Sequence, residues 1–257
     1  MMYEDIRYEE PFLKDVIFRL DYGNRLDAFN QSLPPKLAST ALKHFPISEP
    51  QKGQAQQFTV SPGAIQAKTE EMTNWIYHGK TREKTLNVTP DSLVITNRKY
   101  QKFEDFREDT DTITAVLFES QKDLVIARLG LRYINILDVP GNNPLDWSDY
   151  VDEKMLGIIN THKNQGHLSR VFHIVEFNYG DLYAKFQFGI PNPDYPALIK
   201  RKQFILDIDA YVQGALTKED VLESTYTAHE KIQELFESSI HDSTRQLMKL
   251  ILSLIHI

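Results

Sequence analysis

ILDID at residues 205–209 and, after an eight-residue gap, KEDVLESTYTAHEKIQELFES at 218–238 set the fold class, because the two segments carry different periods. In ILDID, Asp207 and Asp209 alternate with Leu206 and Ile208, the period of a half-buried strand. In the second segment Leu222, Tyr226, His229, Ile232, Phe236 and Ile240 recur at steps of three and four. That is the apolar stripe of a helix, expected to run from about 218 to 250. Thr217 with Asp220 three residues on resembles a capping box, and Glu219 and Asp220 suit the positive end of the helix dipole. The same order occurs earlier, where LVIT at 93–96 precedes FEDFREDTDTITAVLFES at 103–120. There Phe103, Phe106, Ile113, Val116 and Leu117 share one helical face, and both helices end in LFES. A strand followed by an amphipathic helix, twice over, reads as two pseudo-duplicated halves. It implies an α+β fold, mainly antiparallel sheets with helices packed on their faces.

Working outward, VIFRLDY at 16–22 alternates as a strand, and Pro34 and Pro35 open a short helix that carries Leu37, Ala41, Leu42 and Phe45 until Pro46 stops it. SEPQKGQA at 48–55 is polar with Pro and Gly and reads as a mobile loop, the best internal linker. Short strands are expected at 58–60, 74–77, 85–88 and 92–96, the last two joined by a turn at Thr89-Pro90-Asp91-Ser92. Gly130 closes the loop before a strand at 131–139 (LRYINILDV). The breaker cluster Pro140-Gly141-Asn142-Asn143-Pro144 then separates an N-terminal half, 1–140, from a C-terminal half, 145–251. The second half is expected to hold a helix at 145–160, a hairpin of 168–177 and 182–190 turned at Tyr179-Gly180-Asp181, a strand at 204–211 and the long helix. LSLIHI at 252–257 resembles the in-frame translation of a sequencing adaptor, so these residues are set aside and the natural chain is expected to continue beyond about Ile251.

Composition narrows the function. The 257 residues are 41% hydrophobic and 25% charged, with 2 Trp, 12 Tyr and 14 Phe, which suits a folded chain and not a disordered one. With no cysteine, disulfide scaffolds, Cys-ligated metals and thiol nucleophiles are all excluded, while the redox compartment stays open. The acidic, proline-containing start MMYEDIRYEEPFLKD is unlike a signal peptide, and no apolar run approaches the ~20 residues of a membrane span, so a cytoplasmic protein without a membrane partner is expected. A net charge of −7 opposes nucleic-acid binding as the main activity. G-x-S-x-G, P-loop, dinucleotide and H-E-x-x-H patterns are all missing, so the reading leans away from an enzyme, with no cofactor and no metal.

Three sets of residues could still carry a site. In GLRYIN at 130–135, Leu131, Tyr133 and Asn135 share one strand face, and Arg132, Ile134 and Ile136 the other. An arginine among isoleucines calls for a carboxylate, and Asp207 or Asp209 would serve. The alternative has Arg132, Tyr133 and Asn135 lining a cleft that holds an anionic group. Asp207, Asp209 and His229 form the second set, an acid/base pair or divalent-cation site of the catalytic kind, with a core histidine as the plainer reading of His229. The third is Arg98, Lys99 and Lys102 interleaved with Tyr100 and Phe103, where aromatics could stack on bases while the charges hold phosphates.

GLRYIN, together with YQKFEDF at 100–106 and an LDID strand followed by AHEKIQELFESSI at 228–240, resembles a sporadically distributed, functionally uncharacterised bacterial family of about this length. In that family an arginine usually follows the Asn, where Ile136 stands here, so a role for that arginine does not carry over. Sporadic occurrence implies an accessory gene of the mobile-element, defence or toxin–antitoxin kind. The resemblance implies this context and no reaction; with the missing catalytic signature and the acidic composition it leads to the expectation of a protein that works by binding a partner protein, with a nucleic-acid-binding or RNA-processing protein as the alternative and a metal-assisted hydrolase as the second.

Overall fold

The computed structural model describes residues 6–61, 64–161 and 165–251, with the side chains of 54–61, 64–71, 160–161 and 165 outside that description. Alternating sequence builds strands β1 (Arg7–Tyr8), β2 (Leu13–Tyr22), β3 (Ile47–Ser48), β4 (Gln51–Ser61), β5 (Ala64–His78), β6 (Lys84–Val88), β7 (Ser92–Asn97), β8 (Ile126–Asp138), β9 (Val171–Asn178), β10 (Leu182–Ile190), β11 (Gln203–Leu216) and β12 (Leu250–Ile251). Helical spacing builds α1 (Pro35–His44), α2 (Phe103–Ser120), α3 (Gly157–Thr161), α4 (Lys218–Glu237) and α5 (Asp242–Met248). No helix among the described residues is long and apolar enough to cross a membrane.

One ten-stranded sheet runs β3-β5-β6-β7-β2-β8-β11-β10-β9 with β4 attached to β5, and each pairing is antiparallel. The fold is therefore α+β with helices packed on a sheet. Outward from the central β2–β8 pair, the order β2-β7-β6-β5 mirrors β8-β11-β10-β9, and α2 follows β7 as α4 follows β11. One face of the sheet buries Phe18 and Leu20 of β2, Leu129 and Leu131 of β8 and Leu206 and Ile208 of β11. Each such side chain stabilises the fold by about 1.5–3 kcal/mol relative to leaving it exposed. Helix α4 lies across β8, β10 and β11, and α2 packs against both α1 and α4. Among the described residues no helix packs on the opposite face of the central strands, where Arg19, Arg128, Arg132, Asp209 and Tyr211 stand at least partly exposed.

Several local expectations hold. α1 begins with Pro35 in its first turn, and the capping box of Thr217 and Asp220 has both reciprocal bonds. The Thr89–Ser92 turn closes by a 2.9 Å bond from Thr89 N–H to the Ser92 carbonyl, and Gly180 turns the β9–β10 hairpin at φ 91°.

Others are corrected. Residues 51–55 of the presumed linker are strand, because β4 pairs along its length with β5, from Gln51 opposite Asn74 to Ser61 opposite Ala64. Residues 58–60 lie in the same strand, their side chains outside the described set. Gly130 sits inside β8 and not in a loop before it. The helix expected at 145–160 is a series of turns, a 3-10 turn at Glu153–Met155 and the five-residue α3. It is interrupted because Val151 makes a β-bridge with Ile240 and the Asp152 carboxylate caps the 3-10 turn by accepting from Lys154 N–H. That bridge, with the bond from His241 N–H to the Tyr150 carbonyl, also explains why the long helix ends at Glu237. The buried face of α4 includes Ile232 and Phe236 as expected, but over its first turns it is Val221, Thr225 and Ala228, one residue before Leu222, Tyr226 and His229 of the expected stripe. Residues 252–257 lie outside the described residues.

Candidate functional site

Strand β8 presents its residues alternately to the two faces of the sheet, so GLRYIN is split. Arg132 points to the open face. Its Nε donates to Oδ1 of Asp207 at 2.7 Å and its Nη2 to Oδ2 at 2.6 Å, a two-pronged pair. The carboxylate is 7% exposed and the guanidinium 44%, so the acid is buried to hold a partly exposed base. The bond to Asp207 raises the pKa of Arg132 and keeps the cation fixed. Four residues earlier in β8, Arg128 donates to Asp209 at 2.9 Å and lies 4.8 Å over the ring of Tyr211, which stacks in turn on Tyr183 at 5.5 Å. Burial pushes the Asp209 carboxyl up, against the pull of Arg128 and Arg132. Gly130 leaves room for the Arg128 guanidinium to lie over the strand; a Cβ there would come within 2.6 Å of it and would displace the end of that side chain. Across the sheet Glu176, Lys185, Asp209 and Arg132 stand opposite one another on β9, β10, β11 and β8, alternating in sign.

Tyr133 and Asn135 point to the helix side. The Tyr133 hydroxyl is 3.0 Å from that of Tyr100 and 2.9 Å from Nδ1 of His229, whose ring is stacked 3.8 Å on Phe103. Desolvation lowers the His229 pKa to about 4, so the imidazole is neutral at pH 7, and it raises both tyrosines above their ordinary value. Beside this group is a cavity of about 90 Å³ lined by Tyr8, Tyr133, Asn135, His229, Ile232 and Phe236 among others. Its rim is tied by Tyr8, which donates at 2.7 Å to the buried Glu237, itself paired at 3.0 Å with Arg245.

The structure thus brings Arg132 to Asp207, and Tyr133 to His229, Tyr100 and Asn135. It does not bring Arg132 and Tyr133 into one cleft, since neighbours in a strand face opposite ways. Nor do Asp207, Asp209 and His229 converge, because the carboxylates are on the open face and the imidazole is beneath α4; no metal-binding group of three His, Cys, Asp or Glu occurs among the described residues. In the basic aromatic segment Arg98 pairs with Asp15 at 3.3 Å and Lys102 with Asp105 at 2.9 Å, and Lys99 donates its backbone N–H to Asn97. Tyr100 and Phe103 are packed on Tyr133, Phe106 and His229, so their rings are not presented to bases. The residues missed from sequence are Arg128, Tyr183 and Tyr211. The first was legible, since the alternation of Arg128, Gly130 and Arg132 puts all three on one face; the tyrosines depend on long-range register and carried no local signal. No family model matches the chain, and no curated protein does.

Proposed function

We propose that this protein acts by binding a partner protein on the open face of its sheet, with Arg132 at the centre of the contact. The observation that carries this reading is the Arg132–Asp207 pair, a guanidinium held rigidly by a buried carboxylate and left 44% exposed beside the stacked Arg128, Tyr211 and Tyr183. Arginine and tyrosine held in place without further ordering cost are the residue types that anchor protein interfaces. Signs alternate over this face, with Asp15, Asp21, Asp207 and Asp209 among Arg19, Arg128 and Arg132. A phosphate backbone would meet those carboxylates at every step, whereas a protein surface can match both signs, which favours a protein over nucleic acid. In the setting that the family resemblance implies, the activity is that of a cytoplasmic inhibitor, neutraliser or adaptor encoded on a mobile or defence element.

The test is purification at low salt after co-expression with the genomic neighbours, with bound protein identified by mass spectrometry and nucleic acid by absorbance ratio. Arg132→Lys keeps a cation against Asp207 but loses the fork, and Arg128→Ala removes the stacked cation, a partly buried side chain paired with Asp209. Both variants should stay folded by circular dichroism and lose about tenfold or more in affinity for a stoichiometric neighbour. A partner retained equally by both variants would remove the site, and co-purifying RNA or DNA in its place would favour the nucleic-acid reading.

A further inference from the structure

We infer that β9 is a self-pairing edge, and that two copies of this chain join antiparallel along it. β9 ends the sheet: it pairs with β10 on one side, and its main-chain groups on the other have no strand partner among the described residues. The strand reads VFHIVEFN, without the lysine, proline or bulge that ordinarily blunts an edge, and its Phe172, Ile174 and Val175 are 39%, 57% and 39% exposed. The opposite end of the sheet is formed by the two-residue β3 and by β4, both paired with β5.

The occupant is specified by the order of residues along the strand. A two-fold axis perpendicular to the sheet keeps like faces together, so each residue faces another an even number of positions away. With the axis at His173, Arg170 faces Glu176 of the second copy, Phe172 faces Ile174, and Val171 faces Val175, each pair occurring twice. The exposed Phe172 and Ile174 then meet each other, Val175 meets the buried Val171, and Arg170, just before the strand, meets Glu176, the strand's one acidic residue. Moving the axis by one residue destroys this. Centred on Ile174, Phe172 faces Glu176; centred on Phe172, Arg170 faces Ile174. Arg170 is already positioned beside the edge, its guanidinium 4.3 Å over Tyr195 and 5.8 Å over Phe172. The same axis puts the helices of both copies on one side of a continuous sheet and both Arg132 faces on the other.

Sedimentation velocity tests this directly. The wild type should run at twice 29.8 kDa. Arg170→Glu and Glu176→Arg should each run as monomers, because like charges then meet at both ends of the strand. Mixed together, the two variants should recover the dimer, since each supplies the sign the other lacks; that recovery is specific to the axis at His173. Amide exchange along β9 of the wild type should slow as the protein is concentrated, a readout that needs no variant. A monomeric wild type, a dimer indifferent to either substitution, a mixture that stays monomeric, or exchange in β9 independent of concentration would each overturn the pairing.

Discussion

At His229 the imidazole lies 3.8 Å from Phe103 and 2.9 Å from the Tyr133 hydroxyl, beneath α4, and the pull of the Glu104 charge on an added proton is outweighed by the cost of burial. Burial therefore holds its pKa at about 4, below the 6.5 of the unfolded chain. Between those values the unfolded chain takes up a proton that the folded one refuses. The stability held by the neutral ring is complete above pH 6.5, declines as pH falls toward 4, and is exhausted below it. The full difference is on the order of 3 kcal/mol. His229→Gln removes the titration while leaving an amide to meet Tyr133, so its urea-unfolding free energy should fall less steeply between pH 6.5 and 4 than that of the wild type. Parallel curves would show that His229 titrates normally. This is also where residue-level reading of the sequence reached its limit. The pairing of Arg132 with an aspartate of the LDID strand was legible, because charge among isoleucines demands it. The Tyr100–Tyr133–His229 group was not, because it is assembled from three elements up to 129 positions apart, and only the packing of α2 and α4 on one sheet face brings them together.

Helix α4 shows how far an element can be read from its own sequence. Its start is local chemistry: Thr217 Oγ1 accepts from Asp220 N–H and the Asp220 carboxylate accepts from Thr217 N–H at 2.8 Å, which also lowers the Asp220 pKa. Thr217→Ala removes the side-chain half of that box and should cost about 1 kcal/mol, within the 0.5–2 kcal/mol of such caps, measured as a lower urea midpoint at unchanged slope. Serine at the same position should restore most of it. The buried face and the end were harder to read. Thr225 and Ala228 let the helix approach β8 and β11 closely, so small residues line the contact and Tyr226, the larger choice, is 38% exposed. The end at Glu237 has no glycine or proline to announce it, being set by Val151 reaching across to Ile240. For β4 the reason is different: its strand state comes from main-chain pairing with β5 from Gln51 to Ser61, and Gln51, Lys52 and Gly53 are exposed, so the polar start of the strand resembled a loop.

At the scale of the whole molecule, the chain divides by sequence pattern into two halves, yet the fold gives them one sheet and one core. Within the sheet, β2 leads one half (β2-β7-β6-β5) and β8, although it precedes the breaker cluster at 140–144, leads the other (β8-β11-β10-β9); the two strands are hydrogen-bonded neighbours over Leu13–Tyr22 and Ile126–Asn135, and the same buried cluster contains Phe18, Leu93 and Ile113 with Leu131, Ile208 and Ile232. Neither half can keep its central strand paired on both sides once the other has opened. Unfolding should accordingly be one cooperative transition, with the calorimetric enthalpy equal to the van't Hoff value, although 257 residues would suffice for two independent domains. The sharper form of the test is Leu131→Ala, at a position 0% exposed in the middle of β8. The lost side chain and the cavity left behind cost about 2–5 kcal/mol. For a chain of this size each kcal/mol lowers Tm by roughly 2–4 °C, so the midpoint should fall by about 4–20 °C. Because the residue is at the join, fluorescence of Trp75 in the first half and of Trp147 in the second should move together, and single-tryptophan variants carrying Leu131→Ala would follow each half separately. Two midpoints that part company would mean that the β2–β8 pairing is a contact between independently stable units; coincident midpoints would mean that the central pair of strands is what makes the molecule one.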